Sequence, residues 1–390
     1  MKAFKAFFHR HLIRWKCVGM DAANPVPIPN FNRCYKYLVS QIPRPVTPSS
    51  RRSTASFAIS PMAFPDIVYN SNGVVVGRPF QKYQKASTGI INELHIKATK
   101  ANINNFFAMN SIWAMEEELS SLPQDEHTLL QKQYTWPVEN MNKDLEALCM
   151  RLGMQVRDGI QPDPGSDPRE LSYEHHKIYV FYEMIILKLP VEYSPSDHTI
   201  VDTYAHQVVD ALLSKEFPAP SKYRLDWANL EVEGSKIRRV WANKPDGTIS
   251  KDGAQLAFME IKSPKDDRNA RAEVEDLWNL ANFCKDAIDA HLLLRRGIFK
   301  AAGILIFGHK ISVYTMVYHN AIYHWSRAGV AHVPVDQTDV MRAPRCLELI
   351  HAVKMFLDSI EVSNIPQGPA GQYLHAGQKS KITPSLRPIF

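Results

Sequence analysis

The feature that most limits this chain is the order of its hydrophobic patterns between residues 198 and 360. His198 to Phe217 carries Val201, Tyr204, Val208, Val209, Leu212 and Leu213 at helical spacing, and Pro218 and Pro220 stop it. Strand-like segments follow at Tyr223–Glu233, Ile237–Trp241 and Gln255–Lys262. Arg271 to Ala290 returns to helical periodicity, with Val274, Leu277, Trp278, Ala281, Cys284, Lys285 and Ile288. Gly303–Phe307, Ile311–Tyr318 and Ile322–Trp325 are again β-rich, with turns at Gly308-His309 and His319-Asn320, and Leu347–Ile360 closes as a helix. Helix, strands, helix, strands, helix is the pattern of a layered α+β or α/β fold, in which a sheet buries its faces against helices.

The remaining regions read differently. Residues 90–121 and 138–152 look helical, ended near Pro123 and at Gly153, and the run 161–169 (QPDPGSDPR) breaks the chain. These limits divide the 390 residues into a leader and linker over 1–65, a mainly helical region over 66–169, a mixed α/β domain over 170–362 and a loose tail over 363–390. No run approaches the ~18 apolar residues of a membrane span. The five cysteines lie apart, without metal-ligand spacing, which fits a reducing, intracellular setting.

Charge narrows the function classes. The chain carries +6, but residues 1–65 hold ten basic residues and one acid, Asp21, while the other 325 hold 36 basic and 39 acidic residues. The basic character belongs to the leader and is no sign of a polyanion-binding body. Residues 1–18 place Phe4, Phe7, Phe8, Leu12 and Trp15 at helical spacing among basic residues, which resembles a mitochondrial targeting segment; nuclear or cytoplasmic placement is the alternative.

The chemistry concentrates in seventeen residues. Thirteen residues separate Asp246, in Lys244-Pro245-Asp246-Gly247, from Glu260-Ile261-Lys262. Alternation along a strand puts Leu256, Phe258, Glu260 and Lys262 on one face. If Asp246 borders a neighbouring strand, two carboxylates and a lysine converge. Two hard oxygen ligands suit Mg²⁺ or Mn²⁺, a bound metal activates water and neutralises phosphodiester charge, and an ammonium steadies developing negative charge. The alternatives are an ordinary Pro-Asp-Gly turn and an edge-strand ion pair. A composition like this one produces a few acid-x-Lys triplets by chance, so the surrounding order of elements carries the reading.

That combination resembles the PD-(D/E)xK, restriction-endonuclease-like nuclease superfamily over about residues 190–360, and its wording resembles nuclease-like proteins abundant in early-diverging fungi. The resemblance implies a central mixed sheet flanked by helices, with Asp246 and Glu260 as metal carboxylates and Lys262 as the catalytic lysine. It also implies a further acid, for which Glu192, Asp202, Glu216, Glu231 and Glu233 all qualify. Lys236, Arg238, Arg239 and Lys244 are candidate phosphate contacts on DNA or RNA, and Arg268, Arg271 and Lys285 flank the next helix. A catalytically inactive interaction module on the same fold, or an effector-type protein, is the alternative. Phosphate-loop, dinucleotide, serine-hydrolase and HExxH zinc motifs are absent. His175, His176, His319 and His324 read as surface histidines.

Overall fold

The strand Lys300–Phe307 shows why the sheet is buried on both sides. Its residues Ala302, Ile304 and Ile306 enter one hydrophobic core, while Ala301, Leu305 and Phe307 enter another. An unbroken apolar run serves both faces of an interior strand. The computed structural model describes residues 68–69, 74–75, 80, 83–87, 98–114, 135–193, 204–218, 221–227, 231–232, 244–266, 269–293, 297–319 and 322–362. The basic leader and the tail lie outside them.

Apart from a small antiparallel pair, β1 (Val68–Tyr69) and β2 (Val74–Val75), the strands form one seven-stranded mixed sheet. Its members are β3 (Ile112–Ala114), β4 (Tyr223–Trp227), β5 (Gly247–Lys251), β6 (Ala254–Lys262), β7 (Lys300–Phe307), β8 (Lys310–His319) and β9 (Ile322–His332). The spatial order is β3-β9-β8-β7-β6-β5-β4. The pairs β6/β7 and β3/β9 are parallel and the rest antiparallel.

Helices cover both faces. Among those described are α1 (Ile103–Met109), α2 (Lys143–Arg157), α3 (Tyr173–Lys188), a π-helical turn Ala205–Val209 running into α4 (Asp210–Leu213), α5 (Ala270–Leu293) and α6 (Ala343–Asp358). Residues of α2, α3, α4 and α6 share a core with Ala257, Met259, Ile261, Ile304 and Ile306. On the opposite face α1 and α5 pack with Phe258, Leu305, Phe307 and Trp325. The helix α5 is the crossover of the parallel β6–β7 pair. It lies so close to the sheet that a Cβ added at Gly303 would meet Leu280 Cγ and Trp325 Cη2 at 2.8 Å each.

Three expectations change. The helix expected over 90–121 gives way at Asn110 to a turn in which Ser111 has φ +61°, and residues 112–114 then join the sheet beside β9. Parallel pairing to a central strand outweighs local helical periodicity there. Gly153 does not end α2, which starts at the Asn142 cap and continues to Arg157. Gly153 is instead a close-packing point, where a Cβ would lie 2.9 Å from Met341 Sδ and 3.5 Å from the Tyr182 ring. Gly247, the last residue of the Pro-Asp-Gly turn alternative, instead opens β5, a strand over 247–251 that the sequence pattern does not mark.

Candidate active site

The site grows out of the β5–β6 hairpin. Its two-residue turn, Asp252-Gly253, has φ +50° and +79°, the left-handed pair that joins twisted antiparallel strands. Counting back along the register, Gly247 pairs with Met259, so Asp246 falls opposite Glu260. Asp246 extends the ladder by two bonds. Its N–H donates to the Met259 carbonyl at 2.9 Å, and its Oδ2 accepts the Ile261 N–H at 2.8 Å. The carboxylate thus occupies a place that a backbone carbonyl would otherwise fill, and its direction is set by the sheet.

Along β6, Ala257, Met259 and Ile261 face the α2/α3/α4/α6 core, whereas Phe258 faces α5. Glu260 and Lys262 share the parity of Phe258 and therefore point toward α5. β6 lies between β5 and β7, so Glu260 is 6% exposed. Directly opposed like charges destabilise a sheet, and the carboxyls of Glu260 and Asp246 are close enough to share a hydrogen bond. The edge-strand ion pair and the simple turn are thereby replaced by an interior carboxylate pair.

A third acid meets this pair from above. Asp276, 5% exposed on the second turn of α5, lies 2.9 Å through Oδ2 from Lys262 Nζ. Sequence reasoning missed it. The signal was partial, because Asp276 shares a helical stripe with the apolar Leu280 and Phe283, while Asn282, Lys285, Asp286 and Asp289 are buried on the same helix as well. The main chain of Lys262 is held as well. Its carbonyl accepts the Gly308 N–H at 3.1 Å, and the buried Tyr204 hydroxyl donates to the Gly308 carbonyl at 2.9 Å.

Three carboxyls and one ammonium make a site short of positive charge. Burial, then the charges of Asp246 and Asp276, push the proton affinity of Glu260 well above the usual carboxylate range against the pull of Lys262. Burial likewise drives Asp276 up to about 6, with Lys262 opposing. Burial pulls the Lys262 ammonium down, but the charge and hydrogen bond of Asp276, then the charges of Glu260 and Asp246, outweigh it and raise the value. The ammonium is engaged by Asp276, so Asp246 and Glu260 remain an undercompensated pair of hard oxygen donors. That donor set fits a divalent cation of the Mg²⁺ or Mn²⁺ type.

The other sequence candidates are dispersed. Glu231 lies 3.9 Å from Lys244, a half-exposed pair of the kind worth ~0–1 kcal/mol. Glu192 is exposed just beyond α3. Glu216 lies 2.5 Å from Lys177 and 3.4 Å from His351. With Glu174 and His351 it is the one group of potential ligands, among the described residues, whose donor atoms all lie within 4.8 Å. Lys177, also 2.8 Å from Glu174, already supplies positive charge there. Asp202, Glu233, Lys236, Arg238, Arg239 and Arg268 lie outside the described residues, and Arg271 is exposed. Lys285 is neither a phosphate contact nor solvated. It is 3% exposed, 2.8 Å from Asp289 and 4.8 Å from the Tyr323 ring centroid. His324 is fully buried, which pushes its pKa down to about 3, and is no surface histidine. No described helix is long and apolar enough to cross a membrane.

No family model, curated protein or solved structure matches this chain. The site's geometry therefore carries the functional argument.

Proposed function

We propose that the chain is a metal-dependent nuclease with a restriction-endonuclease-like core of the PD-(D/E)xK kind. The observation behind this reading is that Asp246, Glu260 and Lys262, separated by up to fifteen positions in sequence, meet on one face of interior strand pairing beneath α5. Two costs are concentrated there: opposed like charges and two buried carboxyls, Glu260 and Asp276. Folded chains retain such arrangements at sites of chemistry.

Asp246 and Glu260 would hold Mg²⁺ or Mn²⁺. Bound there, the metal supplies a water of lowered pKa and neutralises charge on the scissile phosphodiester. Asp246 is oriented by the Ile261 N–H, which commits one of its oxygens to the sheet. Lys262 stands at the end of β6, on the face that Glu260 shares, its main chain tied to the β7–β8 turn and its ammonium 2.9 Å from Asp276. From there it orients the attacking water or stabilises the extra negative charge of the transition state. Glu260, 6% exposed between β5 and β7, is itself shielded from bulk water.

The test is cleavage of duplex DNA, single-stranded DNA and RNA with Mg²⁺ or Mn²⁺, using the full chain beside Glu260→Gln and Lys262→Ala. The expected result is loss of about 10²–10³-fold in rate for each variant, the scale of removing one preorganised electrostatic group. Equal rates in all three proteins would overturn the assignment. No cleavage by any of them on all three substrates would favour the non-catalytic module, which the slightly acidic composition beyond residue 65 also suits.

A further inference from the structure

We propose that Asp276 is a positioning residue that holds the Lys262 ammonium away from the Asp246–Glu260 pair and so keeps that pair open for a divalent cation. The inference rests on the nuclease reading and adds a residue to its site. Lys262 and Glu260 lie two apart on one face of β6, and Asp246 stands opposite Glu260. A flexible four-carbon side chain in that position has an obvious partner in the two carboxylates. An ammonium seated between them would occupy the place of the metal with a charge of only +1, and a buried pair once formed is costly to break. The structure shows a different partner. Lys262 Nζ lies 2.9 Å from Asp276 Oδ2, on the crossover helix rather than on the hairpin.

Placement makes the contact durable. Asp276 is 5% exposed and sits on the stripe of α5 that continues through Leu280 and Phe283 into the core. The helix is pinned to the sheet at Gly303, where Leu280 leaves no room for a Cβ. The carboxylate therefore comes from a rigid element and fixes the lysine in one direction. Lys262 carries its main-chain bond to Gly308 in addition, so both ends of the residue are restrained.

The test is a Mn²⁺ titration of the full chain, reading free Mn²⁺ by electron paramagnetic resonance, with circular dichroism to verify folding. The proteins are wild type, Asp276→Asn, Lys262→Ala, the double variant Lys262→Ala/Asp276→Asn, and Glu260→Gln as a marker of the site. Asp276→Asn keeps the shape but frees the ammonium, and weakens Mn²⁺ binding about 10–100-fold, the range for residues that orient a metal site from behind. In the Lys262→Ala background the same substitution changes affinity less than about 2-fold, because its effect runs through the lysine. Wild-type affinity in Asp276→Asn would overturn the proposal. An equal loss in both backgrounds would overturn it too, since Asp276 would then act on the cation directly. Unchanged affinity in Glu260→Gln would refute the metal site and the nuclease reading with it, an outcome distinct from the other two.

Discussion

Glu260 is the residue at which folding and chemistry pull in opposite directions. Its carboxyl binds a proton more tightly in the folded chain than in the unfolded one, because burial and two neighbouring acids penalise the charge. A folded-state value above the unfolded one means that ionisation costs stability. The loss begins as pH rises past the unfolded value near 4.5 and continues up to the folded value. Asp276, raised to about 6, adds a loss of the same sign between its unfolded value near 4 and that point. Glu260→Gln keeps the volume and removes the charge, so its melting temperature without metal should exceed that of wild type at pH 8 by several degrees, on the order of 1 kcal/mol or more. The difference should shrink toward pH 5, and saturating Mn²⁺ should raise the wild type alone. Calorimetry at the two pH values checks both. A wild type more stable than the variant at pH 8 would contradict the account.

Glu216 shows the opposite sign. Burial would raise its carboxyl, but His351 and Lys177 hold it below the ordinary range. Its contribution is present above the unfolded value near 4.5 and is lost as pH falls through the folded one. Glu216→Ala leaves Lys177, 9% exposed, with the exposed Glu174 as its remaining carboxylate, at a cost of about 1–3 kcal/mol at pH 7. Denaturation at pH 7 and pH 3 should show that penalty shrinking in acid.

Among the elements, α5 and the hairpin β5–β6 do the positioning. The hairpin turns on Asp252-Gly253 and places Asp246 opposite Glu260, and α5 delivers Asp276. The approach of α5 depends on the bare Cα of Gly303, which lies under Leu280 and Trp325. Gly303→Ala should cost about 1–3 kcal/mol by overpacking. It should also weaken Mn²⁺ binding, because the helix carrying Asp276 must lift. Urea unfolding together with the titration above checks the pair of effects, and unchanged values in both would separate α5 from the site. Much of this level was legible from periodicity. The helix near 271–290 and the strands near 255–262, 303–307 and 311–318 appear close to their expected limits. The helix Tyr173–Lys188 was not expected. Its buried Ile178, Phe181, Tyr182 and Ile185 are interleaved with Tyr179, Met184 and Ile186, so no polar stripe marks an outer face.

At the scale of the molecule, one sheet with a helix layer on each face accounts for both hydrophobic cores and for the place of the site. The alternation of side chains along β7, and along β6 from Ala257 onward, assigns residues to one core or the other. Leu256, expected on the face of Phe258, joins the core of Ala257, because the β5–β6 ladder shifts register beside it. Glu260 and Lys262 are polar interruptions on the face that α5 covers. From residues alone one reads the layered class, the two-residue spacing of Glu260 and Lys262 on one face, and Asp246 as their prospective partner, because strand alternation and turn chemistry are local. The strand order, the joining of β3 to β9, the removal of Glu216 and Lys285 into ion pairs of their own, and the arrival of Asp276 over Lys262 depend on contacts between distant segments. Sequence periodicity records which face of an element is apolar. It does not record which other element covers that face, and the partner of Lys262 was settled at that step.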